Sequence, residues 1–292
     1  MYEKLEQCPS CGHPKFDNYS ICKDHSVSGE SFALVTCARC ELIFTNPRPE
    51  ENALGRYYES DSYISHTDRG NSFINFLYKL VRSFTLKKKR RLVEKYVQSG
   101  MVLDYGCGTG DFLKECETKG WLSKGVEPDN QARKIAIEKT SGTIVRSVDE
   151  LKVDKEFDVI TAWHVVEHIS DLKGTIRKLR KNLKKGGYLI VAVPNAKSAD
   201  ANYYKEYWAA YDVPRHLYHF TKSSFTHLAK SLQFSIIQTE PMKFDSFYVS
   251  MLSEKYKSGH HSLIKGFING WKSNVKASGT GEYSSLIYIL KK

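Results

Sequence analysis

Between residues 101 and 193 short apolar runs alternate with longer amphipathic stretches. Val102 to Tyr105, Leu122 to Glu127, Thr143 to Arg146, Phe157 to Trp163 and Tyr188 to Val193 predict buried strands. The intervening stretches 110–119, 129–140 and 171–184 carry the 3.6-residue spacing of helices. A β-α-β-α rhythm predicts a parallel sheet with right-handed crossovers. After Pro194 the pattern breaks into a Tyr/Trp/His-rich segment reaching Thr221, then resumes as a helix over 222–232 and a strand over about 234–240. A long, partly helical insertion follows, and the apolar run Ser284 to Leu290 reads as an edge or hairpin strand. Upstream, Ala53 to Val97 shows helical spacing, with Phe73, Phe76, Leu77, Leu80, Val81 and Phe84 on one face. Residues 1 to 46 are cysteine-rich and close at Asn46-Pro47-Arg48-Pro49, a stiff connector. Three regions are therefore expected: a cysteine module over 1–46, a helical connector over 47–99 and an α/β domain over 100–292.

Composition narrows the classes. Of 292 residues, 41% are hydrophobic and 26% charged, and no apolar run approaches a bilayer span, which argues against membrane-spanning and disordered chains. Met1 is followed by polar residues rather than an apolar leader, so a cytoplasmic location is expected. The formal charge of +11 suggests an anionic partner, with nucleic acid, anionic lipid and phosphorylated metabolites all compatible. That excess sits mostly in 61–100 and 241–292, whereas 1–60 is mildly acidic.

Five of the seven cysteines fall in the first 40 residues. Cys8-x-x-Cys11 and Cys37-x-x-Cys40 form two knuckles 25 residues apart, the pattern of a closed structural zinc site in a reducing compartment. Such a site would contribute on the order of 10 kcal/mol to a module too small to fold on its own core. Cys22-x-x-His25 is a further potential pair that four thiolates leave without a role, and Cys107 and Cys116 read as packing residues. A zinc ribbon beside the basic run Lys87-Lys88-Lys89-Arg90-Arg91 also raises nucleic-acid binding, or RNA methylation, as an alternative function. The acidity of the module and its lack of a recognition helix weigh against it.

The most informative stretch is Val102-Leu-Asp-Tyr-Gly-Cys-Gly-Thr-Gly-Asp-Phe-Leu113, at the junction of the first strand and its helix. Gly106, Gly108 and Gly110 allow a tight turn and close backbone approach to a ligand. Asp111 stands where the dinucleotide fingerprint needs its third glycine. Asp104 just before the loop would repel a pyrophosphate and attract a ligand carrying an ammonium and a sulfonium. Glu127, at the end of the second strand, is placed to accept hydrogen bonds from ribose hydroxyls.

Asp104-x-Gly106-x-Gly108-x-Gly110 followed by Gly125-Val126-Glu127 resembles the cofactor site of class I S-adenosylmethionine-dependent methyltransferases. The resemblance continues through Phe157-Asp158-Val159-Ile160, Val166-Glu167-His168-Ile169, Leu183 to Leu189 and Val193-Pro194-Asn195, covering about residues 100–290. It implies a Rossmann-like, seven-stranded methyltransferase fold behind the zinc ribbon. S-adenosylmethionine would be the donor, the adenine would lie near Ser147, Val148 and Asp149, and Trp163 and His164 would line the pocket. His164-x-x-Glu167-His168 also matches an inverted zinc-protease pattern, but it follows a strand rather than lying on a helix, so it reads as coincidence.

The aromatic segment Tyr207 to Thr221, within a region of about 195–221, follows the fifth strand and is expected to form an acceptor lid. Zinc-containing sugar C-methyltransferases look similar here. Their D-E-H-x-Y-x-F-[ST] motif, with the histidine as base, lands on His216, although Pro214 and Arg215 replace the acid pair. The expected roles are His216 as general base, Arg215 holding an acceptor phosphate or carboxylate, and Tyr211 or Tyr218 shaping the pocket. A small-molecule or glycosyl-type acceptor, methylated at oxygen or carbon, follows. Ubiquinone-type O-methyltransferases share the core blocks without the ribbon, which ranks quinone-like phenols below sugars. Basic amphipathic stretches at 73–95 and 262–276 are compatible with peripheral contact to an anionic membrane.

Overall fold

The computed structural model describes residues 1–58, 73–151, 155–260 and 262–292, with side chains from residue 82 onward in the first helix. The apolar face expected over Phe73 to Val81 therefore lies outside the described side chains, although the backbone there is helical. The chain forms two compact units. One comprises Met1–Ile64, Val166–Lys173 and Ala192–Tyr288, the other Ser65–Val165, Gly174–Val191 and Ile289–Lys292.

In chain order the first strands are β1 (Tyr2–Glu3), β2 (Phe16–Lys23), β3 (Ser31–Cys37), β4 (Ile43–Thr45) and β5 (Arg48–Pro49). Helix α1 (Phe73–Glu94) leads to β6 (Met101–Tyr105), α2 (Asp111–Glu117), β7 (Leu122–Val126), α3 (Asn130–Lys139) and β8 (Thr143–Val145). Then come β9 (Phe157–Trp163), α4 (Leu172–Asn182), β10 (Leu183–Pro194), α5 (Ala199–Tyr204) and β11 (Tyr218–His219). The chain closes with α6 (Lys222–Ser231), β12 (Ser235–Pro241), α7 (Asp245–Ser258), α8 (Leu263–Thr280) and β13 (Ser285–Lys291).

Seven strands hydrogen-bond in the order β12-β13-β10-β9-β6-β7-β8. Pairing is parallel between β6 and β7, β7 and β8, and β6 and β9. The near-continuous apolar character of Val102-Leu103, Val159-Ile160 and Leu189 to Val193 matches their burial in this sheet. The order reverses between β6 and β9, so the crevice beyond their carboxyl ends is the topological switch point where open α/β sheets bind ligands. Helix α3 begins where the Asp129 carboxylate accepts the Ala132 N–H at 2.8 Å. The helix expected to 184 stops at Asn182 and the strand expected from 188 begins at Leu183. Gly186 and Gly187 weaken helix propensity across that lysine-rich stretch, and sheet pairing takes it instead.

Within the first unit, a four-stranded sheet runs β11-β4-β3-β2. Residues 1–46 do not fold as a body apart, because β4 pairs with β11 from beyond the fifth strand of the large sheet, Phe44 opposite Tyr218. Their core is shared as well: Cys22, Phe32, Leu34 and Ile43 pack with Trp208, Tyr211 and Val213. A module of this size has too little apolar surface to bury on its own. Among the described residues no helix is long and apolar enough to cross a membrane.

Candidate active site

Sequence order alone brings the glycine loop to the switch point. Gly106, Gly108 and Gly110 all adopt positive φ, at 75°, 54° and 79°. A side chain at Gly106 would meet Val165 at 2.4 Å and one at Gly110 would meet Thr140 at 2.9 Å, whereas Gly108 faces open space. The first and third glycines are thus required by packing, and the middle one leaves room for a ligand to approach the backbone.

Two carboxylates border this loop. Glu127 receives the Gly108 N–H at 2.7 Å and the Asp129 N–H at 2.9 Å, one on each oxygen, and so ties the loop to the end of β7. Asp104 is 3% exposed, and its described hydrogen bond comes from the Thr161 hydroxyl at 2.6 Å. Burial pushes its carboxyl up to about 7, against the pull of the Thr161 hydrogen bond and the charge of Lys89. Lys89 lies 4.7 Å from the Trp163 ring centroid, and the same ring meets Phe112 edge-on. The Trp163 indole N–H is buried and has no hydrogen-bond partner among the described residues. His164 holds φ of 57°, an uncommon left-handed conformation at the end of β9. Ser147 and Val148 are half-buried just beyond β8, while Asp149 is exposed and paired with Lys178.

These features together suit a cationic nucleoside: an under-compensated buried carboxylate, an orphaned indole donor and a glycine with space before it. Lys89 and Thr161 belong to this site without a sequence motif that marks them. Thr161 lies within an apolar strand and carries no local signal, and Lys89 is hidden in the basic run. That run is not a uniform basic face. Arg90 is buried against Glu94 and Glu115, Lys89 is half-buried, and Lys87, Lys88 and Arg91 are exposed.

The other unit gathers the histidines. His216 Nδ1 lies 2.8 Å from the Ala210 carbonyl, so it carries the proton and leaves Nε2 as the basic atom, 4.0 Å from an Asp212 oxygen. His168 Nδ1 is likewise 3.0 Å from the Arg215 carbonyl, and its ring meets that of His216 edge-on at 4.6 Å. Burial, with help from neighbouring His216, lowers the His168 imidazole to about 4, so it is neutral at physiological pH. Ligand-type atoms of Glu167, His168 and His216 lie within 4.8 Å of one another.

Arg215 departs from its expected role. Only 2% exposed, it gives four of its five N–H donors to its own unit: Nε and Nη2 to Asp212, Nη2 to Asp24 at 3.0 Å, and Nη1 to the Tyr57 carbonyl at 2.9 Å. It clamps three chain segments and is not presented to an acceptor anion. Tyr211 and Tyr218 are also packed, with the Tyr211 hydroxyl donating to Tyr19 and the Tyr218 hydroxyl donating to the Ser170 carbonyl while accepting from Arg48.

Four thiol sulfurs, from Cys8, Cys11, Cys37 and Cys40, lie within 4.8 Å of one another, with Cys8 to Cys40 and Cys11 to Cys37 at 3.5 Å. Tetrahedral zinc with bonds of about 2.3 Å sets sulfurs about 3.8 Å apart, so the donor set fits. The Arg39 N–H points to the Cys37 sulfur at 3.4 Å, supporting a thiolate. Cys22 is buried in the shared core and His25 stacks on Tyr256, so that pair stands outside the cluster.

A profile described as a methyltransferase domain matches residues 78–239, more than half of the chain. The chain belongs to this methyltransferase family. Its relatives include a ubiquinone biosynthesis O-methyltransferase of Bradyrhizobium sp., 30% identical over 100 residues, covering 32% of this chain and 40% of the relative. The corresponding Pelagibacter ubique protein is 31% identical over 113 residues, 37% of this chain and 47% of the relative. The match thus spans less than half the length of these methyltransferases. Among solved structures, Haemonchus contortus phosphoethanolamine N-methyltransferase 2, in complex with S-adenosyl-L-methionine, superposes with a TM-score of 0.53 at 17% identity, covering 95% of this chain and 68% of that one. An Archaeoglobus fulgidus SAM-dependent methyltransferase gives 0.51 at 19% identity, covering 76% and 100%. Those structures share the fold, and the class I methyltransferase architecture expected from the glycine loop is the one observed.

Proposed function

We propose that this protein transfers a methyl group from S-adenosylmethionine to a small, hydroxyl-bearing acceptor of glycosyl or phenolic type. The observation that carries the reading is Asp104: a buried carboxylate beside a glycine loop at the switch point, with a hydroxyl as its hydrogen-bond partner and no ion pair among the described residues. Asp104, Gly106, Gly108, Gly110 and Glu127 would hold the donor, with Ser147, Val148, Trp163 and His164 around it. When bound, S-adenosylmethionine supplies an already activated methyl group, so the chain's own task is to align the acceptor, exclude water and take its proton. His216 Nε2 is our candidate for that proton, its tautomer held by the Ala210 carbonyl. The names of the ubiquinone relatives favour oxygen over carbon, while the resemblance around His216 keeps sugars in view.

Calorimetric titration with S-adenosylhomocysteine, paired with turnover over a panel of sugars and phenols, tests both halves. His216→Ala should keep donor binding and lose roughly 100-fold or more of turnover. Unchanged turnover would reassign the base. The cysteine cluster is proposed to hold structural zinc, to be checked by elemental analysis, with Cys37→Ser losing both metal and folded protein.

The Glu167, His168 and His216 set favours a second reading. Both histidines donate Nδ1–H to backbone carbonyls, as metal-bound imidazoles do, so Glu167, His168 and His216 would hold a divalent cation that would activate the acceptor hydroxyl. Turnover lost to mild chelation and restored by magnesium or manganese, with zinc content constant, would select this reading over the histidine base.

A further inference from the structure

Helices α7 and α8 form a hairpin packed inside out. The buried side of α8 consists of Gly266, Gly270, Ser273 and Ala277, and that of α7 includes Ser246, Ser250 and Ser253. A Cβ on Gly266 would lie 2.6 Å from the Met251 backbone, and one on Gly270 would lie 2.7 Å from that of Phe247, so the two helices touch main chain to main chain. The large apolar side chains point the other way: Leu263, Ile264, Phe267, Ile268, Trp271 and Val275 are between 43% and 76% exposed. Helices of water-bathed proteins do the reverse, and contiguous exposed apolar surface of this kind marks an interaction site. Close approach through small residues, with bulky ones outside, is how helices pack when lipid is the solvent.

Charge identifies the occupant. From residue 255 to 281 the chain carries five lysines and no acidic residue. Lys265, Lys272 and Lys276 are exposed and, at 100° per residue, follow one another along a flank of the apolar face. Two copies meeting through this face would bring those lysines together, whereas an anionic surface would neutralise them. Its lysines suit α8 to lie in the interface plane, and no described helix can span. We propose that the α7–α8 hairpin docks on an anionic lipid bilayer, seating Ile264, Phe267 and Trp271 among the acyl chains and its lysines among the headgroups.

Co-sedimentation of the full chain with vesicles of phosphatidylcholine, alone or mixed with phosphatidylglycerol, tests this. Binding should be strong only to the mixed vesicles, weaken about fivefold on Lys272→Gln and be lost in the double variant Ile264→Asp, Phe267→Asp. Trp271 is 56% exposed whereas Trp121 and Trp208 are 3% and 2% exposed, so lipids with brominated chains should quench native fluorescence and do so less in Trp271→Phe. Absence of sedimentation with the mixed vesicles, or sedimentation undiminished by the double variant and unaccompanied by quenching, overturns the proposal. So does a concentration-dependent dimer that the double variant dissociates in a chain that ignores vesicles, because the face would then belong to a second copy. Should the double variant fail to fold, quenching of Trp271 in the native chain decides.

Discussion

Asp104 and Asp24 are both almost wholly buried, one in each unit, yet their surroundings push them in opposite directions. At Asp104 burial wins: the described hydrogen-bonding partner is the neutral Thr161 hydroxyl, the charge of Lys89 offsets burial only in part, and the carboxyl rises to about 7. At Asp24 burial also pushes up, but the Arg215 guanidinium and the N–H groups of Ser26, Val27 and Ser28 overcome it and hold the group below the ordinary carboxylate range. Equal burial therefore carries different meanings. Asp24 is a finished ion pair that belongs to the fold, whereas Asp104 has a charge still to be answered. A ligand bearing positive charge would answer it, which is why the second carboxylate reads as functional and the first as structural.

The largest effect is expected from breaking the finished pair. Arg215→Met should leave Asp24 without its cation and Asp212 without its fork, costing about 3–5 kcal/mol in urea unfolding, since removing one partner of a buried pair strands the other. A loss below about 1 kcal/mol would show that the network is dispensable. Asp104→Asn is the mirror experiment. It removes a penalised charge, so stability should hold or rise at neutral pH, while affinity for S-adenosylmethionine should fall by about 1.5–3 kcal/mol. Unchanged affinity would strip Asp104 of its assigned role.

How far each region could be read from the chain follows the same division. The donor loop is local: three glycines needing positive φ, an acid before them and another at the end of the next strand occupy fewer than 30 consecutive positions, and the structure keeps them together. The histidine region is not. Arg215 meets Asp24 across 191 positions and the Tyr57 carbonyl across 158, so nothing near Arg215 announced that its donors were already taken. Asp212, three residues upstream, was the one local hint. Pairing of β4 with β11 has no sequence signature for a related reason, because a two-residue strand carries no periodicity. The cysteine knuckles were legible since ligand spacing is itself a local pattern, but the shared core behind them was not.

Titration sharpens the comparison further. Asp24, held low, adds stability above its unfolded value of about 4 and loses it as pH falls. Asp104, held high, does the opposite: its contribution is complete below about pH 4 and is lost as pH rises toward 7. Binding of a cation reverses that penalty. Affinity for S-adenosylmethionine should therefore rise with pH, by up to about tenfold per unit as pH climbs to 7, with proton release detectable in calorimetry, and level off above it. A flat profile between pH 5.5 and 8 would mean that the donor does not read this carboxylate.

Thr161→Val provides the finest test. The Thr161 hydroxyl supports the ionised form of Asp104 through its 2.6 Å bond, so its loss should move the midpoint of the affinity profile to higher pH and weaken binding at pH 7 by about 1 kcal/mol. Nearly isosteric and buried in an apolar strand, the substitution should leave the unfolding midpoint little changed at acid pH, where Asp104 is protonated in either protein. A weakened affinity whose midpoint stays in place would assign Thr161 to packing of the crevice, and Asp104 would then owe its poise to burial alone.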